Sequence, residues 1–276
     1  MPKNGFKQIW NWFYKMRKIF IHLHIPKCGG SSVSEFLKRN FGKNLFSCNS
    51  ILNDYQYTGE QVYKIINHHP NLKCLTGHKL SLDLPFDKDN IHITALCWVR
   101  DPVDRFVSHY FYHRNHTNLV PEAKKYNLDE YIKWALEGGN QKMYINGQVG
   151  FLSGGRLPLI QKCIEDGKLF LFSLSNIQES FYTLSILFPE FFSNWSMPVL
   201  NISKKDQKIP SNIRELVLPY VEDDMKLLSL AMKTKLEIPQ GQHFSNQSNI
   251  KMRNRVSSKM ALFLHKTANW LERTAK

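Results

Sequence analysis

One stretch near the start of the chain constrains the fold more than any other. Residues 18–25 are rich in apolar and β-branched side chains and have the length of a buried strand. They run into a turn with two adjacent glycines, Gly29 and Gly30, after which apolar residues recur at helical spacing. A strand, a glycine turn and a helix in this order predict the first unit of a parallel α/β sheet. We place the N-cap of the helix at Ser31 or Ser32, because serine hydroxyls commonly cap helices.

A second unit of the same kind follows. Residues 91–99 have the composition of a buried strand, and Asp101 and Pro102 after it are typical of a helix start. Apolar residues then form one continuous stripe that we expect to face the core: Val103, Phe106, Val107, Tyr110 and Phe111. The later predicted elements are a strand at 168–174 and helices at 177–188 and 219–234. This alternation predicts an α/β fold, with a P-loop-type parallel sheet flanked by helices in a single domain.

The C-terminal part of the chain differs in character from the rest. We assign residues 1–240 to the single domain and residues 241–276 to a basic tail that ends in an amphipathic helix. The apolar residues of the tail recur at roughly helical spacing, with lysine and arginine around them. Docking against the domain explains this pattern, and so does peripheral contact with an anionic membrane. The sequence leaves both interpretations open.

Charge and cysteine content narrow the cellular setting. The formal net charge of +14 favours anionic partners such as nucleotides, acidic glycans or anionic lipids. Lysine and arginine interrupt the aromatic residues near the N-terminus, so no apolar run there reaches the length of a membrane span or a signal peptide. The five cysteines include no C-x-x-C pair, which predicts reduced thiols and no zinc cluster. We therefore expect a cytoplasmic protein, in which the tail is the one candidate for peripheral membrane contact.

The glycine turn after the first strand has the chemistry of an anion site. Backbone N–H groups at a helix N-terminus attract phosphate and sulfate, and adjacent glycines allow a close approach. Lys27 adds positive charge, and the two serines add hydroxyl donors. A Walker A loop has its lysine after the glycines, so the order here disfavours ATP hydrolysis. Cys28 lacks the arginine that a tyrosine phosphatase loop requires six residues later, so we interpret it as a small loop residue with some risk of oxidation.

Two motifs resemble the sulfotransferase superfamily that uses 3'-phosphoadenosine 5'-phosphosulfate (PAPS). The sequence IPKCGGSS at residues 25–32 resembles its 5'-phosphosulfate loop. The sequence RDPVDRFVS at residues 100–108 resembles its 3'-phosphate segment, in which the leading arginine and the serine eight residues later hold the 3'-phosphate. The resemblance implies that PAPS is the donor and that these residues bind it: Lys27, Cys28, Gly29, Gly30, Ser31, Ser32, Arg100 and Ser108.

A third segment points to one branch of that superfamily. The sequence NGQVGFLSG at residues 146–154 resembles a segment of the branch that sulfates glycosaminoglycans and related glycans, including the heparan sulfate 2-O-sulfotransferases. The resemblance implies a glycan acceptor, and the basic surface favours an acidic or partly sulfated saccharide. A glycolipid, a small alcohol and a protein tyrosine are the alternatives that the sequence leaves open. Where that branch often carries a glycine-leucine-threonine-glutamate stretch, this chain reads SLSN at residues 173–176, so an acidic acceptor contact is missing there.

The implied chemistry is in-line transfer of a sulfuryl group, which requires neutralised charge on the leaving phosphate and a base for the acceptor hydroxyl. Lys27 is placed for the first task, and no metal is required. His78 follows a short apolar run and a glycine, and it resembles the glycine-histidine element that carries the base in the glycan branch. His22 and His24 alternate along the first strand and are both predicted to be structural, although His24 is close enough to the glycine turn to be the second candidate for the base.

Other polar residues have less specific interpretations. His109 and His113 are spaced like zinc ligands but lack the motif's glutamate and a third ligand, so we predict that they lie on the helix surface. Lys204 and Lys205 either close over the 3'-phosphate or form a solvated charge pair. The alternative to an enzyme is a non-catalytic binder of anionic polymers, either glycan or nucleic acid. No nucleic-acid motif is present, so we expect no nucleic-acid partner; the sequence does not indicate the oligomeric state.

Overall fold

The computed structural model of the protein describes residues 16–48, 56–86, 88–116, 118–139, 141–196 and 209–233. The strands of this part of the chain are β1 (Arg17–Leu23), β2 (Leu45–Ser47), β3 (Cys74–Gly77), β4 (Ile91–Val99) and β5 (Leu169–Ser173). They form one sheet in the order β2-β3-β1-β4-β5, and every neighbouring pair is parallel. The prediction of a parallel α/β fold is confirmed.

Helices connect and cover the strands. In the described residues they are α1 (Gly30–Phe41), α2 (Gly59–His68), α3 (Pro102–His116), α4 (Glu122–Lys125), α5 (Leu128–Trp134), α6 (Gln141–Tyr144), α7 (Gly147–Ser153), α8 (Leu157–Glu165), α9 (Ile177–Leu187), α10 (Ser211–Val217) and α11 (Glu222–Lys233). A π-helical turn at Ala135–Gly139 follows α5, and short 3-10 turns occupy Gly42–Asn44, Leu174–Asn176 and Leu218–Tyr220.

The sheet is buried on both faces, as is typical of parallel sheets. Side chains alternate along β1, so Ile19, Ile21 and Leu23 enter a core shared with α2, α7, α8 and α11. Phe20 points the other way, into an aromatic core shared with α1 and α9. A third apolar cluster joins α3 to α5 and α10 at one end of the sheet. Strand β1 is therefore at the centre of the described sheet.

The predicted element boundaries agree closely with the structure where periodicity was strong. The strand predicted at 91–99 is β4, and the helix predicted at 177–188 is α9, which ends one residue earlier. The helix predicted at 219–234 is instead a 3-10 turn followed by α11. The apolar stripe of α3 is right for Val103, Phe106 and Tyr110, but Phe111 is 37% exposed, so that part of the prediction was wrong.

The strand order decides where a site can form. Strands β3, β1 and β4 are neighbours, so the segments that follow them meet at the carboxyl edge of the sheet. Leu23 pairs with Gly77 at the ends of β1 and β3, which brings His24 beside His78. The chain leaves β1 and β4 towards opposite edges of the sheet, and ligands of open α/β sheets bind at such a switch point.

Several predictions fall on other parts of the chain. The tail at 241–276, its terminal helix and the boundary after residue 240 lie outside the described residues, as do Lys204 and Lys205. Among the helices that the structure describes, none has the length and apolar character needed to cross a membrane.

Candidate active site

The candidate site centres on the glycine turn between β1 and α1. Gly29 is the N-cap of α1, with a φ of 78°, and the helix begins at Gly30. In this described segment no side chain caps the helix. The positive end of the helix dipole at this turn suits an anion. The predicted N-cap at Ser31 or Ser32 was wrong, because the cap needs a left-handed backbone that glycine adopts without strain.

The two glycines are required for close packing as well as for backbone shape. A Cβ added to Gly29 would lie 2.3 Å from Cδ1 of Leu174, so the SLSN segment after β5 packs directly against the turn. A Cβ added to Gly30 would lie 1.5 Å from Nε2 of His24. Real Cβ atoms do not approach other atoms this closely. The turn is therefore held between a leucine on one side and an imidazole on the other.

Lys27 projects from the turn onto helix α3. Its Nζ lies 3.9 Å from the ring centroid of Tyr112, a cation–π contact that holds the ammonium group beside the turn. Burial, and then the charge of Arg100, lower the pKa of Lys27 from its ordinary value. A bound anion would oppose both effects, because it adds negative charge next to the ammonium group.

Arg100 and helix α3, which carries Ser108, both lie against the same turn. Arg100 directly follows β4, and its Nη1 donates a 3.5 Å hydrogen bond to the carbonyl oxygen of Lys27. Ser108 is half-buried and lies four residues before Tyr112 on α3, so the two side chains share a helix face. Because the ammonium of Lys27 rests on Tyr112, this face is turned towards the loop. The structure thus brings the two predicted cofactor motifs together.

Three imidazoles are stacked beside the turn. The ring centroids of His22 and His24 are 5.1 Å apart, and those of His24 and His78 are 3.8 Å apart. His22 is buried, and its Nδ1 lies 2.8 Å from Oγ1 of Thr76, which confirms its predicted structural role. The stack runs from the interior of the sheet to the edge of the glycine turn, since His24 itself packs against Gly30.

His78 is the exposed end of this stack. It follows β3, as predicted, and its Nδ1 lies 2.9 Å from the carbonyl oxygen of His24. A carbonyl oxygen only accepts hydrogen bonds, so Nδ1 carries the proton and Nε2 carries the lone pair. Burial lowers the pKa of His78, although the hydrogen bond to His24 opposes this. Burial, and then His78, lower the pKa of His24 to about 3. Both rings are therefore neutral at pH 7.

Cys28 is not a reactive thiol in this structure. The side chain is buried, and its Sγ donates a 3.3 Å hydrogen bond to Oε1 of Gln148. Burial raises the pKa of Cys28 to about 11, despite the opposing charges of Arg105 and Arg100. The thiolate is the form that oxidises readily, so the predicted oxidation risk was wrong for the folded protein.

Arg105 is a site residue that the sequence analysis missed. Its side chain is buried, with Nε donating to the carbonyl oxygen of Pro26 at 3.1 Å and Nη1 donating to that of Met143 at 2.9 Å. It therefore joins the start of the anion loop to α6. Its position within the motif at residues 100–108 was the available signal, but its partners are distant in the sequence and could not be read from it.

The prediction that His109 and His113 lie on the helix surface was wrong, because both are buried. With Arg105 they form one face of α3 at i, i+4 and i+8. Tyr144 of α6 covers this face, with its ring centroid 5.5 Å from that of His109. Burial lowers the pKa of both histidines, and the charges of Arg105 for His109 and of Lys27 for His113 add to this.

The described residues contain no group of three or more histidine, cysteine, aspartate or glutamate side chains placed to hold a metal ion. That the reaction needs no metal stays a prediction from the resemblance.

Most of the candidate site lies in a region that matches a known protein family. Residues 10–148, half of the chain, match the model of the sulfotransferase family, and this range includes the anion loop, His78, Arg100 and Ser108. No curated protein sequence matches the chain significantly.

Two solved structures are similar to the chain. A sulfotransferase from Alicyclobacillus acidocaldarius shares 12% identity over 80% of this chain and 97% of its own length, with a TM-score of 0.43. A mouse sulfotransferase complexed with adenosine 3',5'-bisphosphate (PAP) shares 14% identity over 91% of this chain and 85% of its own length, with a TM-score of 0.42. Similarity at this level carries no functional argument, so the family assignment rests on the family model.

Proposed function

The chain belongs to the sulfotransferase family, and from that premise we propose that it transfers a sulfuryl group from PAPS to a hydroxyl of a saccharide or glycoconjugate acceptor. One observation carries the proposal. The ammonium of Lys27 and the guanidinium of Arg100 lie at the turn that caps α1, and the imidazole of His78 is stacked on His24, which packs against Gly30 of that turn. A cationic anion site with a neutral base at its edge is the arrangement that sulfuryl transfer needs.

The donor would be bound at its two phosphate ends. The N-terminus of α1, with Ser31, Ser32 and Lys27, offers N–H groups, hydroxyls and a positive charge for the 5'-phosphosulfate. Arg100 and Ser108 are the residues that the resemblance assigns to the 3'-phosphate. The contact between Arg100 and the carbonyl of Lys27 supports this assignment, because it makes the two phosphate subsites neighbours.

His78 is the residue we assign as the general base. Its Nε2 has the lone pair, and the side chain is exposed enough to meet an acceptor. In the transfer step the acceptor oxygen bonds to sulfur, its proton passes to Nε2, and the bond between sulfur and the phosphate oxygen breaks. The negative charge then left on the phosphate faces Lys27. His24 suits this role less well, because its Nε2 packs against Gly30 and its pKa is lowered to about 3.

The proposed acceptor is a glycan, and the proposed location is the cytoplasm. The glycan assignment is supported by the resemblance of residues 146–154 and by the net charge of +14, which suits an acidic saccharide. We further propose a cytoplasmic location. Cell fractionation with and without residues 241–276 tests it: loss of a membrane-bound fraction on truncation would indicate membrane contact by the tail, and an unchanged soluble fraction would favour docking of the tail on the domain.

Titration calorimetry with adenosine 3',5'-bisphosphate (PAP) and with AMP tests the donor site without knowledge of the acceptor. We expect a clear preference for PAP, because only PAP carries the 3'-phosphate that Arg100 would hold. Arg100→Ala should abolish this preference, while Lys162→Ala, which removes an exposed lysine on α8, should retain it. Equal affinity for both nucleotides, together with steeply salt-dependent binding to all polyanions, would instead favour the non-catalytic binder.

Turnover of PAPS with a panel of saccharides and simple alcohols tests the chemistry. His78→Ala should lower kcat by about 10²–10⁴, the usual contribution of a general base. His68→Ala is the matched control, since His68 is an exposed histidine at the end of α2. Full activity in His78→Ala would reject the base assignment while leaving the donor site intact.

A further inference from the structure

A buried amide behind the anion loop connects the two cofactor motifs. Gln148 lies in the first turn of α7 and is 0% exposed. Its Oε1 accepts hydrogen bonds from the backbone N–H of Arg100 at 2.9 Å and from Sγ of Cys28 at 3.3 Å. Its Nε2 donates to the carbonyl oxygen of Arg100 at 2.9 Å. One side chain thus holds both backbone groups of the 3'-phosphate arginine and one residue of the phosphosulfate loop.

The amide is itself held in place by a second buried group. The carboxylate of Asp224, at 0% exposure, accepts hydrogen bonds from the backbone N–H groups of Gln148 and Val149 at 2.9–3.1 Å, and its Oδ2 lies 3.4 Å from Nε2 of Gln148. In return, Oδ1 of Asn146 accepts from the backbone N–H groups of Asp223 and Asp224 at 2.8 and 3.1 Å. The starts of α7 and α11 therefore fix each other. Neither the backbone N–H nor the side-chain amide of Gln148 can shift without breaking several hydrogen bonds.

The direct contact between the two motifs is weaker than this indirect one. The hydrogen bond from Nη1 of Arg100 to the carbonyl of Lys27 is 3.5 Å long, at the limit of a useful interaction. Arg100 also lies just beyond the last residue of β4, where the pairing of β4 with β5 ends. Gln148 satisfies its backbone N–H and C=O in place of a neighbouring strand, so the position of the arginine depends on that amide.

We propose that Gln148 is a positioning residue that couples the phosphosulfate loop to the 3'-phosphate arginine and so sets the spacing between the two phosphate subsites. This inference rests on the proposed function, because the spacing matters only for a donor that carries both phosphate groups. Gln148 itself does not touch the donor. It acts through the backbone of Arg100 and the thiol of Cys28.

The test replaces Gln148 by methionine, which has a similar length but makes none of these hydrogen bonds. Gln161→Met is the matched control, the same change at an exposed position of α8. Affinities for PAP and for AMP are measured by calorimetry for both variants and for the wild type. We expect Gln148→Met to bind PAP about tenfold more weakly and AMP within about twofold of wild type, because only PAP uses both subsites.

A double-mutant cycle adds the readout that a purely structural role would not change. If Gln148 acts through Arg100, Gln148→Met should have almost no further effect on PAP affinity in the Arg100→Ala background. Equal tenfold losses in both backgrounds would overturn the coupling. So would equal weakening of PAP and AMP binding, since that indicates general damage to the site.

The outcomes separate this inference from the function on which it rests. A wild-type protein that does not distinguish PAP from AMP overturns both. A wild type that prefers PAP, with a variant that keeps the same preference, overturns the coupling alone. If Gln148→Met does not fold, Gln148→Asn takes its place: it keeps the amide but is one methylene shorter, so it cannot reach Cys28 and Arg100 together. The same loss of PAP preference is expected of it.

Discussion

A methyl group at position 30 would collide with the imidazole of His24, because the added Cβ would lie 1.5 Å from Nε2. An ordinary contact begins near 3.4 Å, so in Gly30→Ala the ring must withdraw by about 2 Å. His24 cannot withdraw far, since its other contacts are the ring of His22 and the ring of His78 at a centroid distance of 3.8 Å. We therefore expect the substitution to open the histidine stack.

The expected loss of stability follows from two opposing effects. Overpacking in a well-packed region typically costs about 1–3 kcal/mol. Alanine in place of glycine within a helix returns about 0.5–1 kcal/mol. With the middle of each range, the free energy of unfolding should fall by about 1 kcal/mol, which corresponds to a decrease in Tm of roughly 2–4 °C for a domain of this size. Activity should fall as well, because His78 loses the ring against which it is stacked.

Thermal unfolding and PAPS turnover of three variants measure this. Gly150→Ala is the control, because the structure shows nothing within 4 Å of a Cβ added there, and it should be neutral or slightly stabilising. The double variant Gly30→Ala, His24→Ala removes the obstructing ring and should recover most of the lost stability. Wild-type stability and activity in Gly30→Ala would refute the close packing of His24 on the turn. Failure of His24→Ala to rescue would show that the strain lies elsewhere.

The remaining predictions concern titration and thiol reactivity. The pKa of His78 is lowered, and a general base must be unprotonated to act. A plot of kcat/KM against pH should therefore rise up to about pH 6.5 and be level at neutral pH. A rise that continues above pH 7 would contradict the environment of His78. His22 and His109 are buried with lowered pKa values, so below pH 6.5 the unfolded chain binds more protons than the folded protein. The free energy of unfolding should then fall with falling pH, by about 1.4 kcal/mol per pH unit for each histidine, and urea denaturation should show a shallower slope for His109→Phe. All five cysteines are buried and unpaired, so a thiol reagent should label none of them in the native protein and five after denaturation; fast labelling of Cys28 would contradict its burial.

Local pattern was enough to predict the frame of the site. Apolar periodicity and glycine positions, which act over a few residues, predicted the strand at 91–99 and the glycine turn after the first strand. The alternation of strands and helices predicted that the strands are parallel. The positions of Lys27, Arg100 and His78 followed in turn, because each lies at the end of a strand and such ends meet at one edge of a parallel sheet.

The cap of α1 shows where local pattern fails. Serine is a good N-cap on average, and two serines follow the glycines, but the cap is Gly29 with a φ of 78°. A serine does not fit at position 29, because the backbone there is left-handed and because Leu174, from another part of the chain, leaves no room for a Cβ. The burial of His109 also depends on a residue from another part of the chain, because Tyr144 covers a face of α3 that looks polar in the sequence.

The sequence by itself determined the α/β fold, the glycine turn after the first strand and the family, because these depend on short patterns and on motifs of contiguous residues. Only the tertiary structure decided which polar side chains support the loop. Gln148 is 120 residues from Cys28, 48 from Arg100 and 76 from Asp224, yet it bonds to all three. Hydrogen bonds between residues so distant leave no periodic trace in the sequence, because their geometry exists only after the helices have packed on the sheet.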